Sequence, residues 1–341
     1  MLNNKPIRNI APDDYTYGCR SAIQKSIRRG DLDLCKTAFD ELWRHKDQRT
    51  WLKWRLPILV MEDALPMAGE YGEFFKQPDP TESDYRKFIY RLCIGPKNKD
   101  VEAIASARKL PHVFGKLIEH PEFQTYLYWN RKVIKSDPST VLTPLLKSLR
   151  QMEPSDYVMG GIEAFADRVP KGGMIFDRFM LLAAMILIAI RGIDKDAVNA
   201  KIKAHADNWK QRVKRDKPLK CDIPWYAFDI HTVAGKIAKS IFIRNRLSKY
   251  DGLTEEKFWG MWFNFESAFV PPNIVEYSSC KSIDDKPTIF QSVWTLPLIK
   301  YHVAYGNYDA KKTKKIWDLT MRDDIKGAVE WILNKRYEND K

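Results

Sequence analysis

Three residues whose side chains can move protons stand close together at Asp229, His231 and Thr232. A carboxylate beside an imidazole suits general acid-base catalysis, with the carboxylate as base or electrostatic stabiliser and the histidine as proton carrier. Aspartate and threonine are also common helix caps, because their oxygen atoms accept hydrogen bonds from the first N–H groups of a helix. The sequence leaves both interpretations open: a catalytic pair of Asp229 and His231, or a cap with a partly buried histidine.

Aromatic and basic side chains flank this group. Trp225 and Tyr226 precede it, and an enzyme that acts on an extruded base needs such rings for stacking. The helix predicted to follow it carries Lys236, Arg244 and Arg246. Cationic side chains along a helix suit contact with the phosphates of a polynucleotide, so we take these three as candidate phosphate contacts.

A strongly cationic segment lies just before the same group, at residues 201–220. It holds eight Lys and Arg residues against Asp207 and Asp216. Such a face binds an anionic partner or tolerates self-repulsion. We therefore add four of its cations to the nucleic-acid-binding candidates: Lys210, Arg212, Lys214 and Arg215. A solvated helix face is the alternative.

The charge of the whole chain points in the same direction. Its 341 residues carry a formal net charge of +13 and a sequence pI of about 9.3. A surface of this kind attracts polyanions and releases their counterions on binding. DNA is therefore the expected partner, and a basic protein with no role on nucleic acid is the alternative.

Cysteine and histidine spacing argues against a metal site. The five cysteines form no CxxC pair, and the six histidines show no pair four residues apart. Scattered cysteines in an odd number suit reduced thiols better than disulfides or zinc ligands. We expect no metal, no cofactor and a cytoplasmic location, either associated with a nucleoid or in a host cytoplasm if the protein is viral.

One apolar run, at residues 179–190, raises the question of a membrane span. Because a span needs about 20 apolar residues, this shorter run is predicted to be a buried helix, and no membrane contact is expected. Gly192 would end that helix, and Asp194 would cap the next.

Apolar residues elsewhere recur every three or four positions, the spacing of helices with one buried face. Near the N-terminus this spacing is interrupted at Gly30 and Asp31, where one helix would end and another begin. The sequence therefore predicts a helical hairpin there. Alternating β-branched runs bounded by turns are not evident, so we expect an all-α, multi-helix globular fold of one core or two lobes.

Composition suggests how the lobes would divide. Residues 136–173 are rich in Pro and Gly, which favours a connection or hinge. We predict an N-terminal helical lobe over residues 1–135, this connection, and a C-terminal helical lobe over residues 174–341 that carries the basic and Asp-x-His-Thr segments.

The predicted hairpin also resembles a known family over residues 17–70. The resemblance is carried by Ser21-Ala22-Ile23-Gln24-Lys25-Ser26-Ile27-Arg28, followed by Asp31, Leu34, Asp47, Arg55-Leu56 and Glu62-Asp63-Ala64. This pattern is similar to the helical collar of the replication-associated recombination protein A family, AAA+ relatives of clamp loaders. It implies a role in DNA replication or repair, and a homo-oligomer formed through the N-terminal helices.

The chain departs from that family in its nucleotide-binding residues. A phosphate-cradling loop requires Gly-x4-Gly-Lys-Ser/Thr. The one candidate, Gly235-Lys236, is followed by Ile237 and has Ile230 in place of the first glycine. We therefore expect no ATPase activity, and we take Glu62 and Asp63 as structural residues rather than metal ligands.

Three functional hypotheses follow from the sequence. The first is a DNA-binding protein of replication, repair or DNA modification that lacks ATPase activity. The alternative is a DNA-acting enzyme for base excision or base modification that uses Asp229 and His231. The third is a structural oligomer with no role on nucleic acid. The sequence does not decide whether the protein is an enzyme.

Overall fold

Helix dominates the computed structural model, which describes residues 12–98, 101, 139–170, 175–212, 223–229, 232–246, 275–276 and 327–333. Of the described residues 83% are helical. The prediction of an all-α fold is therefore confirmed.

The helices follow one another as α1 (Pro12–Arg29), α2 (Leu32–Arg44), α3 (Lys46–Asp63), α4 (Ala68–Phe75), α5 (Glu82–Ile94), α6 (Ser139–Gln151), α7 (Asp156–Arg168), α8 (Ile175–Arg191), α9 (Lys195–Arg212) and α10 (Val233–Arg246). Residues 327–333 are also helical. Short 3-10 turns lie at Leu65–Met67 and Trp225–Ala227. Strands β1 (Lys97–Asn98) and β2 (Val275–Glu276) form a parallel pair, with Lys97 opposite Val275.

The described residues belong to two compact units that are interleaved along the chain. The described residues of the first unit are 12–49, 211–212, 223–229, 232–246 and 327–333. The second contains Thr50–Lys210 and β2, so the divisions fall within α3 and within the last turn of α9. The predicted lobes at residues 1–135 and 174–341 stay a prediction. Most of the described residues of the predicted connection are helical, in α6 and α7.

The hairpin of α1 and α2 forms as its sequence predicts. Gly30 has a φ of 69°, a left-handed conformation that costs glycine little. Asp31 then caps α2, since its Oδ1 accepts a hydrogen bond of 3.1 Å from the Leu34 N–H. The apolar residues of both helices are buried, among them Ile23 and Phe39. The predicted break at Gly30 and Asp31 is confirmed.

Helix α5 is capped at both ends by hydrogen bonds that involve side chains. At its start the Asp84 N–H donates to Thr81 Oγ1 at 3.4 Å, and the Thr81 N–H donates to Asp84 Oδ2 at 2.9 Å. At its end the buried Lys97 Nζ donates to the carbonyls of Leu92, Cys93 and Gly95 at 2.7, 2.8 and 2.7 Å. These bonds satisfy backbone groups that a helix end leaves unpaired.

The apolar run of residues 179–190 forms most of α8, whose residues 180–188 are all buried. Gly192 follows with a φ of 69°. Asp194 Oδ1 then accepts hydrogen bonds from the N–H groups of Asp196 and Ala197 at 2.9 and 3.0 Å, which caps α9. The prediction of a buried helix is confirmed. Within the described part of the chain, no helix is long and apolar enough to cross a membrane.

Glycines allow α4 and α7 to pack closely in the second unit. A Cβ on Gly72 would lie 2.3 Å from the carbonyl carbon of Gly160, and one on Gly161 would lie 2.7 Å from the carbonyl oxygen of Ala68. Both distances are shorter than side-chain atoms tolerate. The helix backbones therefore touch where a larger residue would separate them.

Candidate functional site

The Asp-x-His-Thr segment lies in the first unit, where Thr232 caps α10. Its Oγ1 accepts a hydrogen bond of 3.0 Å from the Gly235 N–H and donates one of 2.7 Å to the carbonyl oxygen of Asp229. The prediction that Thr232 caps this helix is confirmed. The Thr232 N–H also donates to the Asp229 carbonyl, at 3.0 Å, so the turn before α10 is held by its own backbone and hydroxyl groups.

Asp229 forms a buried ion pair with Lys25 of α1. Asp229 is 6% exposed and Lys25 is 4% exposed. Asp229 Oδ2 accepts a hydrogen bond from Lys25 Nζ, which also donates one of 2.6 Å to Ser21 Oγ. The pair joins α1 to the turn that precedes α10.

This arrangement restricts what the Asp229 carboxylate can do. The Lys25 ammonium offsets the charge of the carboxylate and occupies its Oδ2 atom. Because Asp229 is buried, a substrate has little access to this carboxylate. His231 lies outside the described residues, so the catalytic pair of Asp229 and His231 stays a prediction.

The start of α10 packs directly against the preceding turn. A Cβ on Gly235 would lie 1.8 Å from the Asp229 carbonyl oxygen, so only glycine fits there. On the other side of the turn, the Phe228 ring lies 2.9 Å from where a Cβ on Gly18 of α1 would stand. Two glycines therefore allow this turn to sit against both helices, which brings Asp229 to Lys25.

Of the two aromatic candidates, Trp225 is fully buried. To stack on an extruded base its indole ring would have to leave the interior of the first unit. The backbone of Tyr226 belongs to the same 3-10 turn, and its side chain lies outside the described residues. The stacking role of Trp225 and Tyr226 therefore stays a prediction.

Two predicted phosphate contacts are exposed on one face of α10. Lys236 and Arg244 are exposed, and so is Ser240 between them. Positions four residues apart lie on the same side of a helix, and buried Ala234 and Ala238 occupy the other side. At about 1.5 Å of rise per residue, Lys236 and Arg244 are about 12 Å apart along the axis. The sequence of α10 contains no Asp or Glu.

The other predicted cations are only partly described. Lys210 and Arg212 end α9 and Arg246 ends α10, but none of their side chains is described. Lys214 and Arg215 lie outside the described residues altogether. The structure thus brings Lys236 and Arg244 together on one helix, and the remaining members of the predicted interface stay predictions.

The second unit contains a cavity of about 260 Å³ that sequence reasoning did not identify. Apolar side chains such as Leu187 and Val198 line it, together with the charged groups of Arg191, Asp194 and Lys201. Its lining comes mainly from the end of α8 and the start of α9. The only sequence signal there was the helix break at Gly192 and Asp194, which indicated a turn and not a cavity.

No family model, curated protein or solved structure matches the chain. Function is therefore inferred from the residues of the chain itself. In the part that the structure describes, no three His, Cys, Asp or Glu side chains converge as metal ligands would. Within the described residues the predicted site consists of the exposed cations of α10, the Thr232 cap, the buried Lys25–Asp229 pair and the buried Trp225.

Proposed function

We propose that the protein binds DNA through the exposed face of α10 and has no ATPase activity. One observation carries this proposal: Lys236 and Arg244 are exposed on the same face of a helix that has no acidic residue. On each strand duplex DNA carries a phosphate for about every 3.4 Å of its axis. The two cations, about 12 Å apart along α10, are too far apart to share one phosphate and can therefore contact two.

The environment of Asp229 supports a binding role over a catalytic one. In the sequence Asp229 is the acidic residue nearest to the start of α10, and its charge is buried and paired with Lys25. It therefore reduces the positive potential outside α10 less than an exposed carboxylate would. The net charge of +13 adds a long-range attraction for a polyanion.

A role in replication or repair, with assembly through the N-terminal helices, is the finer part of the proposal. It is supported by the resemblance of residues 17–70 to the collar of the replication-associated recombination protein A family. Within that segment Lys25 donates hydrogen bonds to Ser21 and Asp229 of its own chain, and Ile23 and Ile27 are buried. An oligomer would therefore form through other side chains of these helices.

The binding proposal is tested by salt-dependent titration of a labelled 20-base-pair duplex and a 20-nucleotide single strand. The variant Lys236→Gln/Arg244→Gln removes two cations from α10. Since each neutralised phosphate contributes about −0.9 to the slope of log K against log salt, we expect the duplex slope to become shallower by about 1.8, with weaker binding.

A matched control removes the same charge elsewhere. Lys87 of α5 and Lys147 of α6 are exposed, and Lys87→Gln/Lys147→Gln lowers the net charge equally. An equal loss of affinity in both double variants would show that net charge alone binds DNA. No binding at low salt would overturn the proposal.

Recovering the DNA after each titration separates a binding protein from an enzyme. We expect the strands to be unchanged. Cleaved strands, abasic sites or altered bases would favour the alternative of a DNA-acting enzyme. In that case Asp229→Asn should abolish the activity, and full activity in this variant would exclude Asp229 as a catalytic residue.

A further inference from the structure

An exposed tryptophan on α3 is held by an arginine from another helix of the second unit. Trp54 is 48% exposed. The guanidinium carbon of Arg168, at the end of α7, lies 4.5 Å from the centroid of the Trp54 ring. The guanidinium lies over one ring face, and about half of Trp54 stays exposed to solvent.

Arg168 and Lys53 are each held by a further contact within the second unit. Arg168 Nη2 donates a hydrogen bond of 3.3 Å to the carbonyl oxygen of Lys53, which fixes the guanidinium beside α3. Lys53 is itself exposed, and its Nζ lies 5.1 Å from the centroid of the Tyr85 ring. The half-exposed indole thus has the Arg168 guanidinium over one face, and the exposed Lys53 precedes it in the chain.

We propose that Lys53, Trp54 and Arg168, together called the Trp54 platform, bind single-stranded nucleic acid by stacking one base on the exposed indole face. This inference deepens the proposed function and rests on it. Aromatic rings stack on bases of any sequence, and nearby cations neutralise the adjoining phosphates. An arginine on the far face strengthens such a platform through its cation–π contact.

The platform also predicts a preference between forms of nucleic acid. In a duplex the bases are already stacked on their neighbours, so a ring on the protein surface cannot reach their faces unless a base is extruded. The cations of α10 contact phosphates, which duplexes and single strands share. Stacking on Trp54 should therefore contribute to single-strand binding only.

The test compares Trp54→Leu with the unaltered protein for binding of a labelled 20-nucleotide oligo(dT) and a 20-base-pair duplex. Loss of one stacked base should weaken oligo(dT) binding about five- to 150-fold and leave duplex binding unchanged. Trp54→Phe, which keeps a smaller ring, should fall between the two. Parallel titration with oligo(U) determines whether the platform favours DNA or RNA.

Trp331 provides the matched control, since it is 37% exposed and follows the acidic Glu330 in the chain. We expect Trp331→Leu to bind oligo(dT) as tightly as the unaltered protein. A second readout independent of affinity is photo-cross-linking to oligo(dT) that carries one 5-iododeoxyuridine. Peptide mapping should place the cross-link at Trp54.

The outcomes separate this inference from the proposal it rests on. If the unaltered protein binds neither oligo(dT) nor duplex, both fail. If it binds and Trp54→Leu retains full affinity for oligo(dT), the platform is refuted while the α10 interface stands. Equal weakening of duplex and single-strand binding would also refute stacking, because it would mean that Trp54 serves only to tie α3 to α7.

Discussion

Removing the carboxylate of Asp229 tests whether its pairing with Lys25 is part of the framework of the first unit. In the variant Asp229→Asn the ammonium group of Lys25 loses its counter-charge but stays buried. Breaking a buried ion pair by removing one partner costs about 3–5 kcal/mol, because the remaining charge is unsatisfied. Lys25 keeps its hydrogen bond of 2.6 Å to Ser21 Oγ, so we expect the lower end of that range, about 3 kcal/mol.

This loss is large enough to measure by thermal unfolding. For domains of 150–250 residues, about 1 kcal/mol shifts the Tm by about 2–4 °C. Asp229→Asn should therefore lower the Tm by about 6–12 °C when unfolding is followed by circular dichroism. Glu163→Gln is the control: Glu163 pairs with Lys76 at 3.5 Å and with Arg150 at 3.6 Å, and all three side chains are exposed to solvent by 40% or more. An exposed pair contributes at most about 1 kcal/mol.

A double variant identifies the cause of the loss. Lys25→Met/Asp229→Asn removes both charges of this pair, so it should be more stable than Asp229→Asn alone. The reasoning is refuted if the Tm of Asp229→Asn lies within about 2 °C of that of the unaltered protein. Such a small shift would mean that the substitution costs at most about 1 kcal/mol of stability. It is also refuted if the double variant loses the sum of the two single losses, since the side chains would then act independently.

Two further predictions concern single side chains. Gly235→Ala places a Cβ 1.8 Å from the Asp229 carbonyl oxygen, so the loss of stability measured by denaturant unfolding should reach the upper end of the ~1–3 kcal/mol typical of overpacking. The control is Gly160→Ala, whose Cβ would lie 3.6 Å or more from its neighbours and which should cost far less stability. Equal losses in the two variants would contradict the close contact at Gly235. Burial raises the pKa of Asp177, an effect that Arg55 partly opposes. Between the ordinary and the raised pKa the folded state binds more protons than the unfolded state, so the free energy of unfolding should fall as pH rises through that window. Asp177→Asn should remove this pH dependence and be more stable than the unaltered protein at neutral pH. An unchanged dependence of stability on pH in the variant would contradict the prediction.

Features set by neighbouring residues could be predicted from the sequence. The caps at Asp31, Thr81 and Asp194 each involve a side chain and an N–H group two or three positions later. Such contacts follow from residue type and helix geometry alone. The same holds for the burial of α8, because an apolar residue at nearly every position leaves no polar face for solvent.

Features that join distant parts of the chain could not be predicted. Lys25 lies 204 residues from Asp229, and Arg168 lies 115 residues from its acceptor at Lys53. Nothing in the spacing around Lys25 distinguishes it from an ordinary exposed lysine of an amphipathic helix. The sequence therefore indicates Asp229 as a candidate acid-base residue but does not indicate that its partner is a lysine of α1.

The separation between Lys25 and Asp229 has a consequence for synthesis on the ribosome. At about 5–20 residues per second, roughly 10–40 s pass between translation of these two residues. Throughout that interval α1 lacks the turn that meets Gly18 and the carboxylate that meets Lys25. The second unit, by contrast, draws most of its residues from the continuous stretch Thr50–Lys210. Most of the second unit is therefore translated before Asp229, whereas the Lys25–Asp229 pair can form only afterwards.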